Sequence, residues 1–235
     1  MALIAISDAD GVRTVSMVDR AGRNALDGAM ARALEGALAV PDGVHVVVLR
    51  GLEDVFCSGA SPAVLEGLDR GVIDPGELVL PRAVLGADVP VIAAMEGHAI
   101  GGGFVLGLCA DIVLIARESR YGATFMDLGF TPGMGATRLL ERVMSPAQAH
   151  EMLLTGEPRR GRDLAGHGFN HVLPAREVWP RAMELALRLA STPLPALRML
   201  KRTLSARWIE AFEGAHLEER AMHARCFGHE EVRDA

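Results

Sequence analysis

The sequence predicts an α/β fold, and three observations carry that expectation. Short β-rich runs alternate with a segment of helical periodicity in the N-terminal part. Two apolar runs, 89–97 and 110–116, bracket an apolar segment of helical character, as strands paired in parallel on both sides of a crossover would. Beyond about Val172 the strand signal stops and only helical segments follow.

In chain order, "ALIAIS", "VRTVSMV" and "HVVVLRG" read as strands separated by the turn signals "DADG" and "PDG". "NALDGAMARALEGALAV" (24–40) has apolar residues at helical spacing. "VPVIAAMEG" and "ADIVLIA" read as buried strands, with "GGFVLGLCA" (102–110) as the helix between them. The C-terminal part reads as three helices, "EVWPRAMELALRLAST", "LPALRMLKRTLSARWIEAFEGA" and "HLEERAMHARCF", separated by Pro or Gly. Two segments break the pattern. "GLDRGVIDPGELVLP" (67–81) reads as a long punctuated loop, of the kind that covers active sites or simply crosses the surface. "GFTPGMGATR" (129–138) has three glycines and a proline opening a helix.

Composition bounds the function. The 235 residues are 50% hydrophobic and 23% charged, enough for a packed core, and the net charge is −6. With no basic stripe, nucleic acid is not an expected partner. No apolar run reaches the roughly 18–20 residues of a membrane span, and the N-terminus lacks a signal-peptide pattern, so a soluble, cytoplasmic protein without membrane association is expected. The three cysteines, Cys57, Cys109 and Cys226, have spacings that suggest neither a disulfide framework nor a metal site. "HGFNH" (167–171) places histidines at i,i+4, but its Gly and Asn oppose the helix that a metal pair would need. No metal and no cofactor is expected.

The chemistry centres on "MEGHAIGGGFVLG" (95–107), three glycines at the start of an apolar helix. A helix opening on glycines presents unpaired N–H groups with no Cβ in the way, so Gly101, Gly102 and Gly103 could bind a phosphate or stabilise an enolate oxygen. Tight helix–sheet packing is the alternative. The triplet is neither a dinucleotide fingerprint nor a Walker loop. "VFCSGASP" (55–62) is a second small-residue turn, and the Ala60 N–H is a candidate second donor. His98, beside the glycines, reads as a structural, hydrogen-bonded residue.

The order "FCSGA", "IAAMEGHAIGGG", "ADIVLIA", "YGATFMDLGFTPGMGATRLL" and "LLTGEP" resembles the enoyl-CoA hydratase/isomerase (crotonase) superfamily over essentially the whole chain. That resemblance implies a crotonase fold, a spiral of ββα units over 1–190 that holds the active site, followed by a C-terminal helical region (191–235) that builds a homotrimer. It also implies that the N–H groups of Ala60 and Gly102, with Gly101 beside them, hold a thioester oxygen. Hydratases of the superfamily carry two glutamates at positions that read Val105 and Phe125 here, and neither residue can transfer a proton. Hydration is therefore not expected, and Phe125 becomes an apolar wall for the acyl group.

Within the superfamily, "TFMDLGFTPGMGAT", "GHAIGGGFVLG" and the C-terminal "EERAMH" resemble decarboxylases of polyketide β-branching, which act on 3-methylglutaconyl groups held on an acyl carrier protein. The resemblance implies a carrier-protein partner and makes His223 the proton donor, a role suited to a group titrating near neutrality. His216 lies two turns before it on the same helical face. That subgroup uses a loop lysine, whereas the only lysine here is Lys201, far along the chain. By order, Arg70 is the nearest counterpart and Arg82 a weaker one. An arginine can orient a carboxylate but hardly donates a proton. Two rivals remain: an enoyl-thioester isomerase using Asp127, whose other reading is a turn cap, and a catalytically silent carrier-binding homologue. An RNA-binding role is discouraged by the acidic balance.

Overall fold

The computed structural model describes residues 2–226. β1 (Ile4–Ala9) and β2 (Val12–Met17) form a hairpin that turns through Asp10 and Gly11, both at positive φ. α1 (Gly28–Leu38) begins later than the periodicity suggests. Asp27 caps it by accepting from the Met30 N–H at 2.7 Å, and Asn24 is instead left-handed backbone in the preceding turn. β3 (Val46–Arg50) and the three-residue β4 (Val55–Cys57) follow, then α2 (Pro62–Asp69), capped by Ser61 with Pro62 in its first turn.

The long loop expected over 67–81 is shorter than its composition implies. α2 runs to Asp69, a 3-10 turn occupies Pro75–Glu77, and α3 (Leu80–Leu85) starts with Pro81 in its first turn, where a missing N–H costs nothing. β5 (Val91–Met95), β6 (His98–Ile100), α4 (Gly102–Leu108), β7 (Ile112–Ala116) and β8 (Arg120–Gly122) come next. They are followed by α5 (Ala136–Leu139), α6 (Pro146–Thr155), β9 (Arg159–Arg160) and β10 (His171–Leu173). α7 (Ala175–Ala190) and α8 (Leu194–Cys226) end the described chain.

The strands form two sheets. The larger has the order β1-β2-β3-β5-β7-β10 and is parallel except for the first hairpin. Its strands alternate between two apolar layers, as period-2 geometry requires. Val46, Val48, Ile92, Ala94 and Leu114 pack with Val178, Ala182 and Ala186 of α7, while Val47, Leu49, Ala93 and Met95 face the main core that contains α4. The smaller sheet, β4-β6-β8-β9, is built from strands of two or three residues, too short for alternation to reveal them in the sequence. Tyr121 ties the sheets together: its buried hydroxyl donates to Met95 O at 2.7 Å and accepts from the Ala116 N–H at 2.9 Å.

The last two expected helices are one. α8 runs 33 residues through Gly214. An interior glycine costs only about 1 kcal/mol, and the buried series Leu197, Lys201, Ser205, Phe212, His216, Glu219, His223 continues on one face across it. No helix among the described residues is long and apolar enough to cross a membrane.

Candidate active site

The site grows from the C-terminal ends of the small sheet's parallel strands. β4 leads into Ser58, Gly59 and Ala60, β6 into Gly101 and Gly102, and β8 into Thr124 and Phe125. Ala99 pairs with Tyr121 and Ile100 with Gly122, and the Gly101 N–H extends this ladder by donating to Gly122 O at 2.8 Å. The arms from β4 and β6 abut. Gly59 has φ +90°, and a Cβ there would lie 2.8 Å from Ile100 O and 3.7 Å from Gly102 N.

Ala60 makes a parallel bridge to Leu26, in which the Leu26 N–H donates to Gly59 O (2.7 Å) and the Ser61 N–H to Leu26 O (2.9 Å). That pattern engages the groups flanking Ala60 and turns its own N–H to the opposite side. Gly102 is the first residue of α4, so its N–H has no acceptor within the helix. Asn24, fully buried, holds this corner. Its amide donates to Met17 O (3.2 Å) and Phe56 O (3.0 Å), joining the end of β2 to β4 just before Leu26.

The three glycines have three different reasons. Gly101 adopts φ 54°, ψ −126°, a conformation that excludes a side chain. A Cβ on Gly102 would meet Met134 Sδ at 2.6 Å, across the cavity wall. A Cβ on Gly103 would meet the Cys57 carbonyl at 2.5 Å, so this glycine lets α4 press against β4. Close packing and open backbone are both needed, at different positions. Gly103→Ala should therefore destabilise by about 1–3 kcal/mol through overpacking, read as a lowered Tm; an unchanged Tm would show that β4 yields.

Around these arms lies a cavity of about 100 Å³. Its walls are mostly apolar (Leu26, Val64, Leu65, Leu68, Phe125 and Met134 among them), and Ala60, Gly101, Gly102, Phe125 and His223 all line it. The structure thus gathers these five residues at one cavity, without Arg70. His223 is the single ionisable side chain in that lining among the described residues. It is 3% exposed, and its Nε2 is paired with Thr131 O at 2.9 Å. Burial pushes its pKa below the ordinary 6.5, opposed by the Thr131 carbonyl and the Glu219 carboxylate. Val105 is wholly buried in α4 and lies outside the lining.

Arg70 does not reach this cavity. It is exposed, pairs with Glu66 at 3.1 Å one turn back, and lines an adjoining outer cavity of about 530 Å³ that shares Leu68 and His223 with the inner one. Arg82 makes a two-pronged pair with Glu213 (2.6 and 2.7 Å) at the surface. Lys201 is buried against Asp111 at 2.8 Å, away from the site. Asp127, open as an isomerase base or a turn cap, lies in the 3-10 turn Met126–Leu128, at an exposed position against Gly156 and outside the cavity lining. His98 accepts from the Arg120 N–H at 2.8 Å, and His216 Nε2 pairs with Gly76 O at 3.2 Å. Cys57, behind the arms, has its thiol pushed up to about 12 by burial and is no nucleophile.

Three residues escaped the sequence reading: Asn24, Thr124 and Glu219. Glu219 is 1% exposed and accepts from the Gly135 N–H (2.7 Å), the Thr137 N–H (2.9 Å) and the Thr137 hydroxyl (2.7 Å). It fastens α8 to the glycine-rich turn that seats His223. A carboxylate in the buried stripe of α8, one turn before His223, was the available signal.

Comparison with known proteins agrees with this architecture. A family model described as enoyl-CoA hydratase/isomerase matches residues 7–235. The bacillaene synthase decarboxylase PksI of Bacillus subtilis (strain 168) is 40% identical over 224 residues, 93% of this chain and 90% of PksI. A solved structure from a dehydratase/decarboxylase enzyme couple involved in polyketide β-branching superposes with a TM-score of 0.94 at 37% identity, covering 99% of this chain and 97% of that one. The ECH2 decarboxylase domain of CurF from Lyngbya majuscula gives a TM-score of 0.92 at 33% identity over 100% of this chain and 98% of its own. Probable enoyl-CoA hydratases also match.

Proposed function

The chain belongs to the enoyl-CoA hydratase/isomerase family, and from that premise we propose that it decarboxylates a 3-methylglutaconyl-type thioester carried on an acyl carrier protein, in polyketide β-branching. The observation that carries the reading is the composition of the cavity wall: the backbone of Ala60 and Gly102, mostly apolar side chains with three hydroxyl residues, and one ionisable group among the described residues, His223. Hydration needs an acid–base pair. Decarboxylation needs an electron sink and one proton.

In the proposed step the bond between the substrate carbon and its carboxylate breaks and CO2 leaves. The bonding pair passes through the conjugated system to the thioester oxygen, which takes the negative charge between the Ala60 and Gly102 N–H groups. His223 then supplies a proton to carbon, the carbonyl re-forms, and the imidazole recovers its proton from solvent. Gly101 sets the start of α4, and Phe125 bounds the acyl group. Arg70, in the outer cavity, is placed to meet the arriving carrier rather than the reacting atoms. Similarity to PksI and the CurF domain supports the reaction class. Exposed Met199, Leu200 and Leu204 on α8 are consistent with a homotrimer contact.

Intact-mass measurement of carrier protein loaded with the 3-methylglutaconyl group is the direct test. Loss of the mass of one CO2 on adding the enzyme is expected. Unchanged mass with binding retained would discard the decarboxylase and leave the isomerase or a silent carrier-binding homologue. The isomerase reading rests on Asp127, so Asp127→Asn should leave turnover at the wild-type rate; a large loss would return that residue to the mechanism.

A further inference from the structure

The inner cavity has an apolar neighbour. A second cavity, of about 140 Å³, lies between α1, α2 and residues 73–80. Leu26, Val64, Leu78 and Met134 line both cavities, so these four side chains are the wall between them. Ala31 and Leu80 line the second cavity and not the inner one. Its carboxylates, on Asp27, Glu35 and Glu77, sit at exposed positions, and among the described residues no cationic side chain lines it. Such a space takes an uncharged hydrocarbon chain and repels an anionic one.

Within the shared wall, Met134 packs tightly on an oxyanion arm. From the Cβ position of Gly102, Met134 Sδ lies at 2.6 Å and Leu26 Cδ1 at 3.5 Å. Met134 is 8% exposed and has φ 63°, left-handed backbone, between Gly133 and Gly135. Glycine suits such a position, and a glycine stands on either side, yet this residue carries a long side chain. Strain of this kind persists where the surrounding structure holds it, and it gathers at ligand-binding sites. An unbranched thioether also fills an irregular gap better than a branched side chain does.

We propose that Met134 determines acyl specificity: its side chain closes the second cavity, so a short acyl group is accepted and a longer neutral chain is refused. That an acyl thioester binds here rests on the reading above; the shared wall does not. With the thioester oxygen at the Ala60 and Gly102 N–H groups, the acyl chain starts beside Met134. The arriving carrier arm takes the outer cavity, which leaves the second cavity as the room for further carbons. Truncating Met134 joins the two spaces.

Calorimetric titration of the full chain with butanoyl- and octanoyl-pantetheine, two saturated and unreactive thioesters, tests this. The wild type should bind octanoyl no more tightly than butanoyl. Met134→Ala removes the wall. Met134→Gly removes it while relieving the left-handed backbone, so each variant covers for poor folding of the other. In either, octanoyl affinity relative to butanoyl should rise by about ten- to a hundredfold, at roughly fourfold per methylene buried. Adding Ala31→Leu, which fills the second cavity, should cancel that gain; in the wild type, Ala31→Leu should change neither affinity. The proposal is overturned by an unchanged ratio in the folded variants, by a gain that survives Ala31→Leu, or by a wild type that already prefers octanoyl. It is overturned equally if Ala31→Leu alone weakens butanoyl, since the second cavity would then already be in use, or if the wild type binds neither ligand. Should Met134 discriminate as expected while carrier-bound 3-methylglutaconyl releases no CO2, the decarboxylase reading fails and this one stands. Release of CO2 with an unchanged ratio overturns this one alone.

Discussion

His223→Ala is expected to slow CO2-coupled product formation by about 10²–10⁴-fold, the usual contribution of a positioned general acid, while the protein still folds and binds thioester. The expectation follows from the cavity's lack of an alternative: among the described residues no other ionisable side chain lines it. His223→Gln refines the test. It retains a side-chain donor for Thr131 O but has no titrating proton, so it should fold like wild type and turn over like alanine. Near-wild-type turnover in both variants would assign protonation to solvent.

The pH profile supplies a second readout. Desolvation holds the free-enzyme His223 below 6.5, so if the imidazolium is the donor, kcat/KM should fall as pH rises through a midpoint under that value. Binding places the substrate carboxylate, and then the dienolate, beside the ring. A nearby negative charge favours the protonated form, so the midpoint for kcat should lie above that for kcat/KM. Stability runs in the other direction. A histidine with a depressed folded pKa binds fewer protons folded than unfolded, so its contribution is intact above 6.5 and is lost as pH falls through that value. Acidification thus charges the donor and loosens its seat.

How much of this was legible in the sequence depends on the length of the element that carries it. The large sheet was, because "HVVVLRG", "VPVIAAMEG" and "ADIVLIA" each supply at least four buried residues in a row. The small sheet that builds the site was not, since "VFC", "HAI" and "RYG" give a period-2 signal no room. Its loops were nevertheless located, because glycines mark where backbone must approach backbone. Residues acting through a titratable side chain or an N–H were found by chemical type or by resemblance. Asn24 carries no such mark; it becomes conspicuous only when the structure shows its amide joining the end of β2 to β4. Asp127 left two readings open, an isomerase base or a turn residue, and its place in the exposed 3-10 turn Met126–Leu128 keeps it out of the cavity lining.

Glu219→Ala should be the most destabilising single change near the site, lowering stability by roughly 3–5 kcal/mol, because three donors lose their acceptor inside the protein. For a chain of this size that corresponds to a fall in Tm of roughly 10 °C. Glu219→Gln keeps the shape and one acceptor oxygen but turns an NH2 towards an N–H donor, so it should lose about half as much. The consequence for function follows from what the carboxylate fastens. Gly133 lies close enough to His223 that a Cβ there would stand 3.0 Å from Cε1, and Thr131 O holds Nε2. Both belong to the turn that Glu219 pins at Gly135. Releasing that pin frees the seat of the proton donor while leaving Ala60, Gly102 and their hydrogen-bonded arms in place. Below its Tm the glutamine variant should therefore keep thioester affinity and lose kcat. An equal loss of both would mean that the turn shapes the whole cavity rather than the histidine's corner of it.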